Sequence, residues 1–327
     1  MRQARFEGVN WWQVVGLIAL AVATVVIAFL AMGHSRPEVP EAGETPGYTP
    51  ATENADENEQ SAAGSGDTGS PQEEQAEITP VPALSRIIAM QDAQVGYRAA
   101  TGSCPDTTAT IEVTADGGVT WAATDDEQLT QVSSPLRLLP GTDGFVSMVA
   151  QNRDDCSVVT VLQSYTAAAD WDVVEGGTDM TWYLDPADAS IAHVPGVGAV
   201  NLPCEAARLA TTNATTGAVL CTDNTVATTD DQGENWNISD PLAGAQAIAF
   251  SGEKYLLART GQSECSGTTV SRLTLGHSFE TVVCVADLSS PGKTALAATP
   301  EGQAWLWSGD RLASSADAGE NWQLIGN

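Results

Sequence analysis

The chain has 327 residues, 42 acidic against 13 basic side chains, and a formal net charge of -29. Lysine is reduced to Lys254 and Lys293, which argues against nucleic acid as a partner, because phosphate binding needs cationic surface to displace counterions. With 43% apolar and 17% charged residues, the chain is too hydrophobic to be wholly disordered and long enough for one large domain or two small ones.

Residues 1–13 are predicted to be a cytoplasmic N-terminus. From Val14 to Met32 there is no charge, and a helix over that stretch covers roughly 28 Å at about 1.5 Å per residue, enough for one membrane span. Trp11 and Trp12 precede it and suit the headgroup region. A cleaved signal peptide has a shorter apolar core, and no small-x-small cleavage site stands out near Met32-Gly33-His34, so the segment is read as a retained anchor. Arg2 and Arg5 precede the span, whereas the flank beyond Arg36 is strongly acidic. The positive-inside bias therefore puts everything after the span outside the cytoplasm.

Residues 33–80 are predicted to be a disordered stalk. From residue 37 to 80 there are eleven acids and no base, among Pro, Gly, Ser and Thr with few large apolar side chains. Such a stretch cannot offset its ordering entropy by burial, and like charges with proline keep it extended. The acidic run is read as a solvated spacer rather than a calcium site.

Beyond the stalk the pattern Ser/Thr-x-Asp-x-Gly-x-x-Trp occurs three times. The copies are Thr114, Asp116, Gly118 and Trp121; Thr229, Asp231, Gly233 and Trp236; and Ser315, Asp317, Gly319 and Trp322. Two worn copies are SYTAAADW, ending at Trp171, and GHSF, in which Gly276 and Phe279 take the glycine and tryptophan places. Cys104, Cys156 and Cys265 precede Trp121, Trp171 and Phe279 by 17, 15 and 14 residues, each followed by a β-branched run. In a hairpin turn the Asp accepts amide hydrogen bonds, the Gly takes positive φ and the Trp packs beneath. Runs such as AVLCT, KYLLAR and QAWLW read as short strands, and no amphipathic helix stands out after residue 90.

These turns resemble the Asp-box, or BNR, repeat of sialidases, sortilin-like receptors and photosystem-assembly propellers. The resemblance implies that residues 81–327 form an all-β propeller whose boxes join the third and fourth strands of each blade. Five box positions in 247 residues give about 49 residues per blade and predict five blades. A sixth is allowed if the region around Trp182, inside the 65-residue gap from Trp171 to Trp236, is a separate unit. The three intact boxes are expected to matter more to stability than the worn ones.

Six cysteines outside a membrane invite disulfides, and proximity pairs Cys204 with Cys221 and Cys265 with Cys284 as clips on hairpins. Cys104 with Cys156 follows by elimination. No CxxC or CxxH spacing exists, and His34, His193 and His277 are scattered, so neither metal nor cofactor is expected.

Catalysis would most naturally be sialidase-like. That chemistry needs an arginine cluster, a Tyr nucleophile with a Glu partner, and an acid. Arg86, Arg98, Arg137, Arg153, Arg208, Arg259, Arg272 and Arg311 are present, with Tyr97, Tyr165, Tyr183 and Tyr255. However, Arg86-Ile87-Ile88 lacks the Pro of the sialidase Arg-Ile-Pro, and no catalytic set stands out. Box residues are structural in these families, so no catalytic residue is assigned. The sequence is therefore read as a single-pass, membrane-tethered extracytoplasmic propeller that binds a protein or a cell-envelope glycan without catalysis. The alternatives are a glycoside hydrolase and an assembly factor for a membrane complex. The alanine-rich, acidic, one-span chain suits a bacterial envelope.

Overall fold

The computed structural model describes residues 79–326 except 253 and 275–278. The expected span at 14–32, nearly all of the stalk and Gly276 lie outside the described residues. Among the described residues no helix is long and apolar enough to cross a membrane.

The fold is an all-β propeller of six blades, each from a contiguous stretch of chain. Blade 1 holds β1 (Arg86–Met90), β2 (Gly96–Ala100), β3 (Ile111–Thr114) and β4 (Ala122–Ala123). Blade 2 holds β5 (Val132–Pro140), β6 (Val146–Asn152), β7 (Val159–Ser164) and β8 (Asp172–Val173). Blade 3 has only β9 (Tyr183–Leu184), β10 (Ile191–Val194) and β11 (Gly198–Asn201). Blade 4 is β12 (Ala206–Thr211), β13 (Gly217–Cys221), β14 (Val226–Thr229) and β15 (Asn237–Ile238). Blade 5 is β16 (Ala245–Ser251), β17 (Lys254–Arg259), β18 (Thr268–Thr274) and β19 (Phe279–Val285). Blade 6 is β20 (Thr294–Ala298), β21 (Ala304–Ser308), β22 (Arg311–Ser315) and β23 (Gln323–Ile325). Each four-stranded sheet is an antiparallel meander, with its first strand innermost.

The expected count of five is thus corrected to six. The region around Trp182 is a blade of its own, and it escapes a count of repeats because its β10–β11 turn, Pro195-Gly196-Val197, carries no Asp or Trp. Blade 3 also departs from the others in strand direction. The loop after β9 meets the start of β12, where Ala206 N donates to Ala189 O. The β10–β11 turn meets Asp179 and the repeat turn at Gln232. Hence β9 runs opposite to the innermost strands of the other blades, and the strand that should precede it is missing. Residues 174–182 lead directly from β8 to β9 through a 3-10 turn at Gly177–Met180 that packs on β7 and β10.

The core is distributed as six apolar clusters, one at each blade interface, rather than gathered in one center. Alternation along the strands sends successive side chains to the two flanking interfaces. The interface of blades 1 and 2 includes Tyr97, Ile111, Met148, Leu162 and Trp171. That of blades 2 and 3 is the smallest, with Val149, Val161 and Tyr183 buried, as expected for a blade short of a strand. Among the described residues no strand is exchanged between blades 6 and 1, and the ring closes there through side chains. There Trp305 lies edge-on to Trp121 at 6.1 Å, Arg86 stacks on Trp307 at 4.0 Å, and Arg98 stacks on Trp121 at 4.2 Å.

Candidate functional site

Strand direction sorts the turns onto two faces. In blades 1, 2, 4 and 6 the turns after first and third strands, including the repeat turns, fall on one face, called here the repeat face. The chain enters each innermost strand, except that of blade 3, from the opposite, entry face.

The repeat turns join third to fourth strands in blades 1, 2, 4 and 6 and share one geometry. Asp231 accepts from Thr229 Oγ1 at 2.8 Å, Asn235 N at 2.9 Å and Asn235 Nδ2 at 2.8 Å. Asp317 repeats this with Ser315 and Asn321, and Asp116 with Thr114 and Thr120. These donors stabilize the carboxylate form and hold all three pKa values down at about 2. Trp121, Trp236 and Trp322 donate Nε1–H to the carbonyl of Gly118, Gly233 and Gly319 at 3.1, 3.1 and 2.9 Å. Each ring lies toward the preceding blade, and so does each glycine: at Gly118, with φ of 88°, a Cβ would collide with Leu312 of blade 6.

The worn copy in blade 2 keeps this geometry with other side chains. Thr166 replaces the Asp and accepts from Asp170 N at 2.9 Å, while Ala167 and Ala168 adopt φ of 54° and 69°. Trp171 donates to Ala168 O at 3.1 Å and is only 3% exposed, whereas Trp121, Trp236 and Trp322 are half-buried. The worn turn therefore holds the most buried of these four rings, against the expectation from its sequence.

All three expected disulfides are present. Cys204–Cys221 and Cys265–Cys284 clip the β12–β13 and β18–β19 hairpins, but Cys104–Cys156 joins loops of blades 1 and 2 across 52 residues and is no local clip. All three lie toward the entry face. Among the described residues no group of three or more His, Cys, Asp or Glu side chains is arranged to hold a metal ion.

The innermost strands surround a channel of about 1030 Å³. Three of the eight arginines from Arg86 onward, Arg86, Arg137 and Arg208, line it, with no tyrosine in its wall. Each is already engaged. Arg86 donates to Gly309 O and stacks on Trp307. Arg208 donates to Ala207 O at 2.7 Å and Pro82 O at 2.9 Å. Arg137 reaches across the site of the missing strand, donating to Trp182 O at 2.6 Å and Thr211 Oγ1 at 2.9 Å, and so ties blades 2, 3 and 4 together. Burial lowers the Arg137 and Arg208 pKa values to about 10, which leaves both charged at neutral pH. The sequence offered no pattern that singles out Arg137.

The two carboxylates of the channel wall stand at opposite mouths. Asp185 is near the entry face, 3.0 Å from His193 Nε2, with Tyr183 stacked on the imidazole at 4.3 Å. Glu301 is in the β20–β21 turn on the repeat face. The entry-face rim is crossed by the chain itself: Asn224 Nδ2 donates to Thr79 O, Val81 N to Thr222 O, Arg208 to Pro82 O, and Ser85 Oγ to Gly292 O. Val81 is 6% exposed in the interface of blades 4 and 5. The repeat-face mouth is edged by Gln91, Thr142, Met180, Thr212, Ala214 and Glu301.

No family model matches the chain, and no curated protein matches it either. Similar solved structures are propellers of low identity. One is YCF48 bound to D1 peptide, 17% identical over 76% of this chain and 70% of that one, with a TM-score of 0.28. Another is an Aleuria aurantia lectin in complex with a fucosylated sugar, 10% identical over 75% and 96%, with a TM-score of 0.45. A third is a xyloglucanase from Xanthomonas campestris, 14% identical over 74% of this chain but only 38% of that one, with a TM-score of 0.30. At these identities and TM-scores the likeness carries no role over to this chain.

Proposed function

We propose that the chain is a membrane-tethered, extracytoplasmic propeller of the Asp-box type that acts as a binding module without catalysis, its ligand surface being the repeat face around the channel mouth. The observation that carries this reading is the separation of Asp185 and Glu301. Glycoside hydrolysis by paired carboxylates needs them about 5 to 10 Å apart, whereas a six-residue innermost strand such as β12 places the two mouths roughly 16 to 20 Å apart. The sialidase-like alternative is disfavored for a related reason. The three channel arginines are bonded to carbonyls, a hydroxyl and an indole, and no tyrosine joins them in the channel wall. Residues 79–85 cross the entry-face rim from blade 4 to the start of blade 6 and narrow that side, which favors the repeat-face mouth as the approach. Three disulfides suit an oxidizing compartment outside the cytoplasm.

The test is a photoreactive aromatic residue introduced in intact cells at exposed Ala214 on the repeat face, and in parallel at exposed Asp154 on the entry face. A discrete partner captured from Ala214 and none from Asp154 is expected. Capture from Asp154 alone would move the ligand surface to the other face, and turnover of a glycoside substrate by the purified full chain would replace binding with hydrolysis.

A further inference from the structure

Among the described residues, four of the seven large apolar side chains that are exposed lie in repeat-face turns of three adjacent blades: Val119 at 61%, Tyr165 at 68%, Met180 at 62% and Val197 at 52%. Tyr165 rests on Phe145 of the β5–β6 turn at 5.1 Å, so its ring is supported yet open, and Met180 also edges the channel mouth. Around them stand the exposed carboxylates of Asp116, Asp143, Asp170 and Asp179, and no Lys, Arg or His occurs in the repeat-face turns of blades 1 to 3. The charged group of Arg137 is inside the channel, bonded to Trp182 and Thr211. We infer that this surface docks a basic segment of a partner protein, one that alternates cationic with aliphatic or aromatic side chains. This rests on the reading of the repeat face as the ligand surface and adds the partner's chemistry.

The choice follows from charge and shape. A second copy of the chain would bring its own large negative charge to an acidic face and be repelled. A bilayer with anionic headgroups would repel it as well. A neutral glycan would find one exposed aromatic ring to stack on, whereas Val119, Met180 and Val197 offer aliphatic surface that suits apolar side chains. A basic, apolar segment satisfies both parts, its cations steering the encounter and its apolar side chains holding register.

The probe is a fluorescent synthetic peptide of alternating Lys and Leu, with a Glu-Leu analog as control, titrated into the purified full chain by anisotropy. The key variant is Tyr165→Ser with Met180→Gln, which leaves net charge unchanged and alters only exposed side chains, so an unchanged melting temperature certifies the fold. The Lys-Leu peptide should bind the parent about tenfold more tightly than this variant. Its affinity should fall as salt is added, and less steeply in Asp143→Asn with Asp179→Asn. Equal binding to the parent and the Tyr165/Met180 variant would overturn the inference, because the attraction would then be general charge. Tighter binding of the Glu-Leu analog would overturn its sign. If either occurs while Ala214 still captures a cellular partner, only the partner chemistry falls. If capture comes from Asp154 alone, the repeat-face reading falls with it.

Discussion

Replacing Trp171 by Ala removes a ring that is 3% exposed and wedged between blades 1 and 2 against a cluster that includes Leu162 and Met148. Truncation of a buried aromatic costs about 3 to 5 kcal/mol, the spread reflecting how far the cavity collapses. Here the surroundings belong to two sheets held by Cys104–Cys156, so little collapse is expected and the upper half of the range applies. For a domain of this size about 4 kcal/mol lowers the melting temperature by roughly 8 to 16 °C. The same change at Trp236 or Trp322 starts from a less deeply buried ring and should cost less. Trp171→Phe separates packing from polarity, since it keeps a ring but loses the indole bond to Ala168 O, a loss of about 1 kcal/mol. Calorimetry of the full chain and these variants, with urea midpoints as a second measure, gives the order. If Trp236→Ala lowers the melting temperature as much as Trp171→Ala, burial is not what sets the importance of these rings.

Breaking Cys104–Cys156 should cost more than breaking either hairpin clip. Chain entropy gives about 4 kcal/mol for the 52-residue closure against about 3 for closures of 17 and 19 residues; nonreducing peptide mapping and melting of the paired Cys→Ala variants check both pairing and order. Asp116, Asp231 and Asp317 have folded pKa values near 2, below an ordinary 3.8. Over that interval the unfolded chain binds more protons, so their contribution is present above about pH 4 and is lost as pH falls toward 2. Melting curves from pH 5 to 2 should therefore drop more steeply for the parent than for a variant with all three changed to Asn. Arg137→Met should lose about 2 to 3 kcal/mol through two charge-assisted bonds, with faster amide exchange around Tyr183 as the local sign of a loosened third blade.

How far the sequence reveals this molecule depends on where its chemistry is repetitive. Turns whose Asp, Gly and Trp each answer a separate geometric need recur at blade spacing, so four of the repeat turns and the strands around them are legible, as are the cysteine pairs that bracket hairpins. Blade 3 is concealed because Pro195, Gly196 and Val197 make their turn with a glycine but without the Asp or the Trp, and because a 3-10 coil precedes β9 in sequence where a β-branched strand would announce itself. Trp171 misleads for the opposite reason. Thr166 and the two left-handed alanines preserve the turn while erasing its pattern, so wear in the letters is not wear in the structure. Arg137 and the strap at Thr79–Ser85 act through partners 45 to 207 residues away, a relation that no local pattern encodes.

The seam between the first and last blades has a consequence for how the molecule is made. Every sheet pairs residues close in sequence and forms from local hairpins at small entropic cost, but Trp121 and Arg86 meet Trp305 and Trp307 only after nearly the whole domain has emerged. During synthesis from the N-terminus, blade 1 waits with one flank bare while four others assemble beside it. The interval in which that flank is open is the time the translation machinery takes to deliver blade 6. Slowing elongation late in the message should therefore raise aggregation, whereas slowing it early should not.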